Sequence, residues 1–189
     1  MSLGKKVPLI YSSPIDVILI SIADKISPYF KSINATANHI TTIGVICRII
    51  AIYYLSADSY RISAIFYFMG YFFDCLDGYY ARKYNLTSHY GDLYDHISDV
   101  VLNTLFLWVL WKKDFKCKSL IFGIFIIMFI MMLIQMGNEE IVYNKKSVLT
   151  PLQSISNVKN IKYMRFFGCG SMFLIITLFI YNLKHFEKL

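Results

Sequence analysis

The chain has 189 residues, of which 57% are hydrophobic and 16% charged, against about 45–50% and about 25% in a soluble domain. That length fits one domain, and that balance excludes water as the main solvent and favours a lipid bilayer. The net charge of +7 is not laid out as a basic stripe on a soluble fold, which excludes nucleic acid as a partner. Lys and Arg stand instead between apolar runs, where anionic membrane lipids meet them.

Residues 1–36 read as an N-terminal segment and residues 37–189 as a membrane domain. The polar, basic stretch Met1–Lys6 has no long apolar core directly behind it, so no cleavable signal is expected. Residues 12–31 predict an amphipathic surface helix with Ser13 as N-cap, Pro14 at the first helical position and Asp16 in the first turn. Ile15, Ile18, Leu19, Ile22 and Ile26 recur at helical spacing, with Asp16, Asp24, Lys25 and Ser27 on the other side. Pro28 is expected to disturb its end.

A span needs about 20 mostly apolar residues, and five stretches qualify: 38–56, 60–82, 93–111, 119–137 and 164–183. The expected fold is therefore all-α, a polytopic membrane helix bundle with five clear spans. Lys5, Lys6, Lys25, Lys31, Arg82, Lys83, Lys145, Lys146, Lys159, Lys162 and Arg165 place the N-terminus and alternate loops in the cytosol. The cluster Lys112, Lys113, Lys116 and Lys118 runs against that rule. The cysteines (47, 75, 117 and 169) are far apart and lack metal-ligand spacing, which argues against a disulfide framework or a zinc site.

Stretches two and three hold an anomaly. Asp74 and Asp77 sit near the end of one apolar run, and Asp95 and Asp99 at the start of the next. One ionised Asp at the centre of a span costs about 2.5–3.5 kcal/mol, less toward the interface. At 100° per residue Asp74, Asp77, Gly78 and Ala81 share one helix face, and Gly91, Asp95 and Asp99 share another. Carboxylates so grouped repel one another unless cations bind or protons are taken up. An all-oxygen ligand set favours hard ions such as Mg2+ or Mn2+ over zinc. Acids solvated singly at helix ends do not account for the matched spacing. A proton relay or ion channel accounts for the acids but not for the Gly, Ala and Arg among them.

Those intervening residues complete a pattern. Asp74 to Arg82 reads D-C-L-D-G-Y-Y-A-R, and after eight residues Gly91 to Asp99 reads G-D-L-Y-D-H-I-S-D. This resembles the CDP-alcohol phosphotransferase signature, D-x2-D-G-x2-A-R-x8-G-x3-D-x3-D, with every fixed position filled. The resemblance implies a bundle of usually six spans, with the site at the cytosolic end of the first three. It implies two divalent ions, Asp74 and Asp95 touching both, Asp77 and Asp99 one each. Asp99 would be the general base, with Asp95 as runner-up. Gly78, Arg82 and Ser88 would hold the CDP part of the donor, while Ala81 and Gly91 leave it room. Ala37, Asn38, His39, Ile40 and Thr41 match a P-N-x-x-T element that helps hold the nucleotide, with Ala in place of Pro.

The implied reaction is transfer of a phosphatidyl group from CDP-diacylglycerol to an alcohol acceptor, with release of CMP. The alternative within the family moves phosphocholine or phosphoethanolamine from its CDP derivative to diacylglycerol, hinted at by His96 after Asp95. Outside the family stands ion or proton transport through the acidic site. The implied setting is a multi-pass membrane protein, of the endoplasmic reticulum in a eukaryote, with a homodimer compatible with it; five readable spans against the family's usual six imply a different C-terminal wall or dimer contact.

Overall fold

The computed structural model describes residues 11–143 and 161–188, and its elements there are all helical: α1 (Pro14–Ser32), α2 (Ala37–Ser56), α3 (Tyr60–Lys83), α4 (His89–Lys112), α5 (Lys118–Tyr143), α6 (Ile161–Met164), α7 (Cys169–Tyr181) and α8 (Leu183–Lys188). A 3-10 turn, Arg165–Phe167, leads into α7. Lys145, Lys146 and Lys159 lie outside the described residues.

Helices stand at all five predicted stretches, but among the described residues only Ala37–Ser56 and Lys118–Glu139 are long and apolar enough to cross a membrane. The acids and basic ends of α3 and α4 lower their apolarity. α7, at 13 residues, rises only about 20 Å against a hydrocarbon core of about 30 Å. The count of five spans is thus not reproduced by length and composition.

α2 and α3 form an antiparallel hairpin through the turn at Asp58, whose φ of 58° is a left-handed conformation that Asp tolerates. α3 is the central helix, packed by α2, α7 and α1, while α4 leans on α2. One core fills the end of the bundle away from the acids, where Leu55, Tyr60, Ala64, Tyr67, Phe106, Leu110, Ile176 and Ile180 meet. Tyr67 stacks on Phe106 with ring centroids 4.1 Å apart, and Tyr71 stacks on Phe173 at the same separation. The lysines that break the positive-inside pattern have local work at this end. Lys113 donates to Asp58 and, at 2.9 Å, to the Ser56 carbonyl, while Lys118 donates to the Lys113 carbonyl at 2.9 Å. They satisfy carbonyls that the ends of α2 and α4 leave open.

α1 departs from expectation in two ways. Its predicted polar side is partly turned inward: Ser27 is buried, and Asp16 accepts from the Tyr71 hydroxyl at 2.6 Å, as Asp24 does from Tyr79 at 2.6 Å. The two contacts are eight residues apart on both helices, so α1 runs beside α3 in the same direction. Burial pushes the Asp16 carboxyl above its ordinary range, and the bonds from Tyr71 and the Gly170 N–H pull it back. Ile18 and Ile22 are left exposed, the stripe that fits lipid. Secondly, the helix continues through Pro28 to Ser32. Pro28 cannot donate to the Asp24 carbonyl, but Ser27 Oγ donates there at 3.0 Å and Lys83 Nζ at 3.4 Å. Ser13 precedes Pro14 as expected but makes no capping bond; its hydroxyl lies 3.2 Å from that of Ser171.

α2 starts without the proline of the signature element, and a capping box takes over that role. Thr36 Oγ1 accepts from the His39 N–H at 3.3 Å, and His39 Nδ1 accepts from the Thr36 N–H at 3.1 Å. Thr36→Ala is expected to cost about 1 kcal/mol, read as a melting temperature lower by a few degrees in detergent. An unchanged melt would show that the box does not fix this helix start.

Candidate active site

The N-terminal turns of α2, the C-terminal turns of α3 and the N-terminal turns of α4 meet at one end of the bundle. Up-down-up packing of three consecutive helices brings these segments together, and the acids ride on them. Asp74, Asp95 and Asp99 each place a carboxylate oxygen within 4.8 Å of the others. Asp77, predicted as the fourth member, stands outside this trio. It is buried and lines an adjoining polar cleft, which Asp95 shares.

That cleft is walled by Ala37, Asn38 and Thr41 of α2, Asp77, Gly78 and Ala81 of α3, and Ser88, Gly91 and Asp95 at the start of α4. Nine residues singled out in the sequence thus line one cleft. Ser88 caps α4, its hydroxyl accepting from the Gly91 N–H at 3.1 Å. Gly91 permits the close approach of α2 to α4, because a Cβ there would lie 2.9 Å from both Asn38 Oδ1 and Ser88 Oγ. Arg82 folds back over Gly78, with Nη1 3.1 Å from where a Gly78 Cβ would be. Its donor fork therefore lies at the cleft.

Two predicted residues do not belong. Ile40 is fully buried in a core with Ala23, Leu76, Tyr79 and Tyr80, and His39 is exposed and spent on the capping box. In a helix beginning at Ala37, positions 37, 38 and 41 share the cleft face while 39 and 40 turn away. His96 is exposed and stands outside the acidic trio.

Residues the sequence reading did not assign also appear. Leu86, Thr87 and Asp92 line the cleft; an acid in the first turn of α4 is itself a helix-start signal. Arg48 is buried, ion-paired to Asp99, and 3.4 Å from Asp74. Beyond Asp99 opens a second, mostly apolar cavity of about 380 Å³ between α4, α5 and α7, with Asn103 and Thr104 near the acid and Phe122, Phe125, Phe129 and Ile176 further along.

The donor set fits hard divalent cations. Three carboxylates converge, and Asp77 Oδ2 and Asp95 Oδ1 are buried without a hydrogen-bond partner. A buried acceptor without a partner is costly, and a cation supplies what it lacks.

Comparison with known proteins agrees with this arrangement. A model of the CDP-alcohol phosphatidyltransferase family matches residues 34–184. The CDP-diacylglycerol–glycerol-3-phosphate 3-phosphatidyltransferase of Rickettsia felis is 35% identical over 66 residues, 35% of this chain and 36% of that protein. The proteins of the same name from Rickettsia typhi and Rickettsia prowazekii are each 37% identical over 76 residues, 40% of this chain and 43% and 42% of theirs. The matches therefore span 36% to 43% of the length of these relatives. No solved structure matches the chain significantly. With the family model extending over residues 34–184 and every fixed position of the D-G-A-R…G-D-D signature in or beside one acidic cleft, the chain belongs to the CDP-alcohol phosphatidyltransferase family.

Proposed function

We propose that this protein transfers a phosphatidyl group from CDP-diacylglycerol to an alcohol, releasing CMP. The observation that carries the reading is the meeting of three carboxylates between a polar cleft and an apolar cavity. A nucleotide lipid has this duality, with a charged head for the cleft and acyl chains for the cavity that opens at Asp99. The Rickettsia relatives, named for glycerol 3-phosphate, make that acceptor the first to try.

Asp74, Asp77, Asp95 and Asp99 would hold two Mg2+ or Mn2+ ions, which when bound offset charge on the pyrophosphate and on the departing CMP. The chain's residues supply the rest. Asn38, Thr41, Gly78, Ala81, Ser88 and Gly91 shape the cleft for the nucleotide, and the Arg82 guanidinium donates to a phosphate oxygen. Asp99 takes the proton of the acceptor hydroxyl as that oxygen bonds to the phosphatidyl phosphorus and the bond from phosphorus to the CMP oxygen breaks. Asp95 is the second candidate for this proton. The apolar stretches support a multi-pass protein, and Arg82 and Lys83 in the last turn of α3 support a cytosolic face for the cleft, residues 37–189 forming the membrane domain.

The test is CMP release by purified protein in detergent with labelled CDP-diacylglycerol, Mn2+ or Mg2+, and a panel of glycerol 3-phosphate, inositol, serine, choline and ethanolamine. One acceptor is expected to give product, and EDTA to abolish release until excess Mn2+ is restored. Undiminished turnover in EDTA would remove the metal mechanism. Product only from CDP-choline or CDP-ethanolamine with diacylglycerol would transfer the protein to the other branch of the family.

A further inference from the structure

Resting on the metal-dependent reading above, we propose that Arg48 is a built-in counter-cation of the acid cluster. It holds Asp99 against Asp74 when the metal ions are away and loosens their hold when they are bound. Arg48 belongs to α2, whereas the acids belong to α3 and α4. Its side chain is 5% exposed, less than those of Asp74 at 21% and Asp99 at 32%. It does not snorkel to an interface.

The surroundings are shaped for it. The side chain passes over Gly70, where a Cβ would lie 2.5 Å from Arg48 Cγ and 3.3 Å from Nε. Gly70 is one helical turn before Asp74, so removing that Cβ opens the route by which an α2 side chain reaches acids on α3 and α4. At the end of the route Nη1 donates to Asp99 Oδ1, and Nη2 lies 3.4 Å from Asp74 Oδ1 and 3.5 Å from the Gly70 carbonyl. Yet Nε is buried with no partner. The two terminal nitrogens are the ones engaged, Nη1 by Asp99 and Nη2 by Asp74 and the Gly70 carbonyl, so the positive charge is held at the acids.

Charge arithmetic gives the consequence. Asp74, Asp77, Asp95 and Asp99 carry −4 when ionised, and Arg48 reduces this to −3. Two divalent ions would bring the site to +1 with Arg48 present and to zero without it. A fixed cation in contact with two prospective ligands repels incoming cations, and buried charges are weakly screened. Arg48 also competes for Asp99 Oδ1. In exchange, two carboxylates that would repel one another in the empty site stay paired, so the cluster remains assembled between turnovers and the ions remain exchangeable.

The experiment is Mn2+ titration, by calorimetry or by electron paramagnetic resonance, of the full chain in detergent without donor or acceptor. The proteins compared are wild type, Arg48→Met, Arg48→Lys, Gly70→Ala and Asp99→Asn. Arg48→Met keeps an apolar stem and removes the charge, and its Kd for Mn2+ is expected to fall by roughly tenfold or more. Arg48→Lys should stay near wild type. Gly70→Ala, which drives the guanidinium from its route, should shift toward Arg48→Met. Thermal melts give a second readout. The Arg48→Met deficit should be large in EDTA and narrow in saturating Mn2+, whereas a purely structural arginine gives the same deficit in both. An unchanged or higher Kd for Arg48→Met overturns the proposal. If that variant does not survive purification, Gly70→Ala decides by the same criterion. Wild type with no Mn2+ binding above Asp99→Asn would overturn the metal reading itself, a result distinct from normal wild-type binding that is indifferent to Arg48.

Discussion

Asp99→Asn is expected to lower the rate of CMP release by about 10^3-fold or more while leaving the helical fold and detergent elution profile unchanged. General base catalysis alone contributes about 10^2–10^4-fold, and a neutral amide is in addition a poorer ligand for a hard cation. The fold should survive because Asp99 is partly exposed and, among the described residues, the hydrogen bond its side chain accepts comes from Arg48. Replacing the acid by Asn removes a charge without opening a cavity. Asp95→Asn separates the two candidate bases. If Asp95 takes the proton, its variant loses rate even where saturating Mn2+ restores metal occupancy, whereas Asp99→Asn recovers. Turnover by Asp99→Asn at more than about a tenth of the wild-type rate would remove it from the proposed role.

The acidic site was legible in the sequence for a specific reason. Asp74, Asp77, Asp95 and Asp99 interrupt apolar runs at intervals of three and four, and nothing but a shared helix face explains that spacing. What they would meet across the bundle was not legible. Arg48, odd in an apolar stretch, reads from sequence either as reaching the polar site or as snorkelling to an interface, and the choice stays open because its pairing with Asp99 is 51 residues distant and depends on Gly70 being passable. Asp77 was grouped with the trio by periodicity, but it lies in the adjoining cleft and not among the three converging carboxylates.

The inward side of α1 was hidden for another reason. In a bilayer, an isoleucine stripe and a stripe of Asp and Ser can each face either protein or surroundings, since lipid is as apolar as a core. Tyr71 and Tyr79 decide the matter by donating to Asp16 and Asp24. The capping box at Thr36 and His39 was within reach of sequence reasoning, as a Thr three residues before a side chain able to return the bond. Having His rather than Glu in that place concealed it.

Gly91→Ala is expected to reduce kcat/KM for the CDP donor by roughly 10–100-fold, corresponding to about 1.4–2.7 kcal/mol of lost transition-state stabilisation. The added methyl would sit 2.9 Å from Asn38 Oδ1 and 2.9 Å from Ser88 Oγ. Each neighbour has its own constraint: Asn38 lies in the first turn of a capped helix, and Ser88 is itself the cap of α4. One of them must yield, and both line the cleft proposed for the nucleotide. The comparison that isolates crowding is Ser88→Ala, which deletes the cap and costs about 1 kcal/mol of helix stability but leaves Asn38 in place. Gly91→Ala should therefore exceed Ser88→Ala in its effect on donor kcat/KM. Equal losses would mean that the cap, and not the close approach of α2 to α4, is what Gly91 protects. An effect confined to kcat, with donor KM unchanged, would mean that the methyl acts through Asp95 one turn further along α4 instead of through the nucleotide cleft.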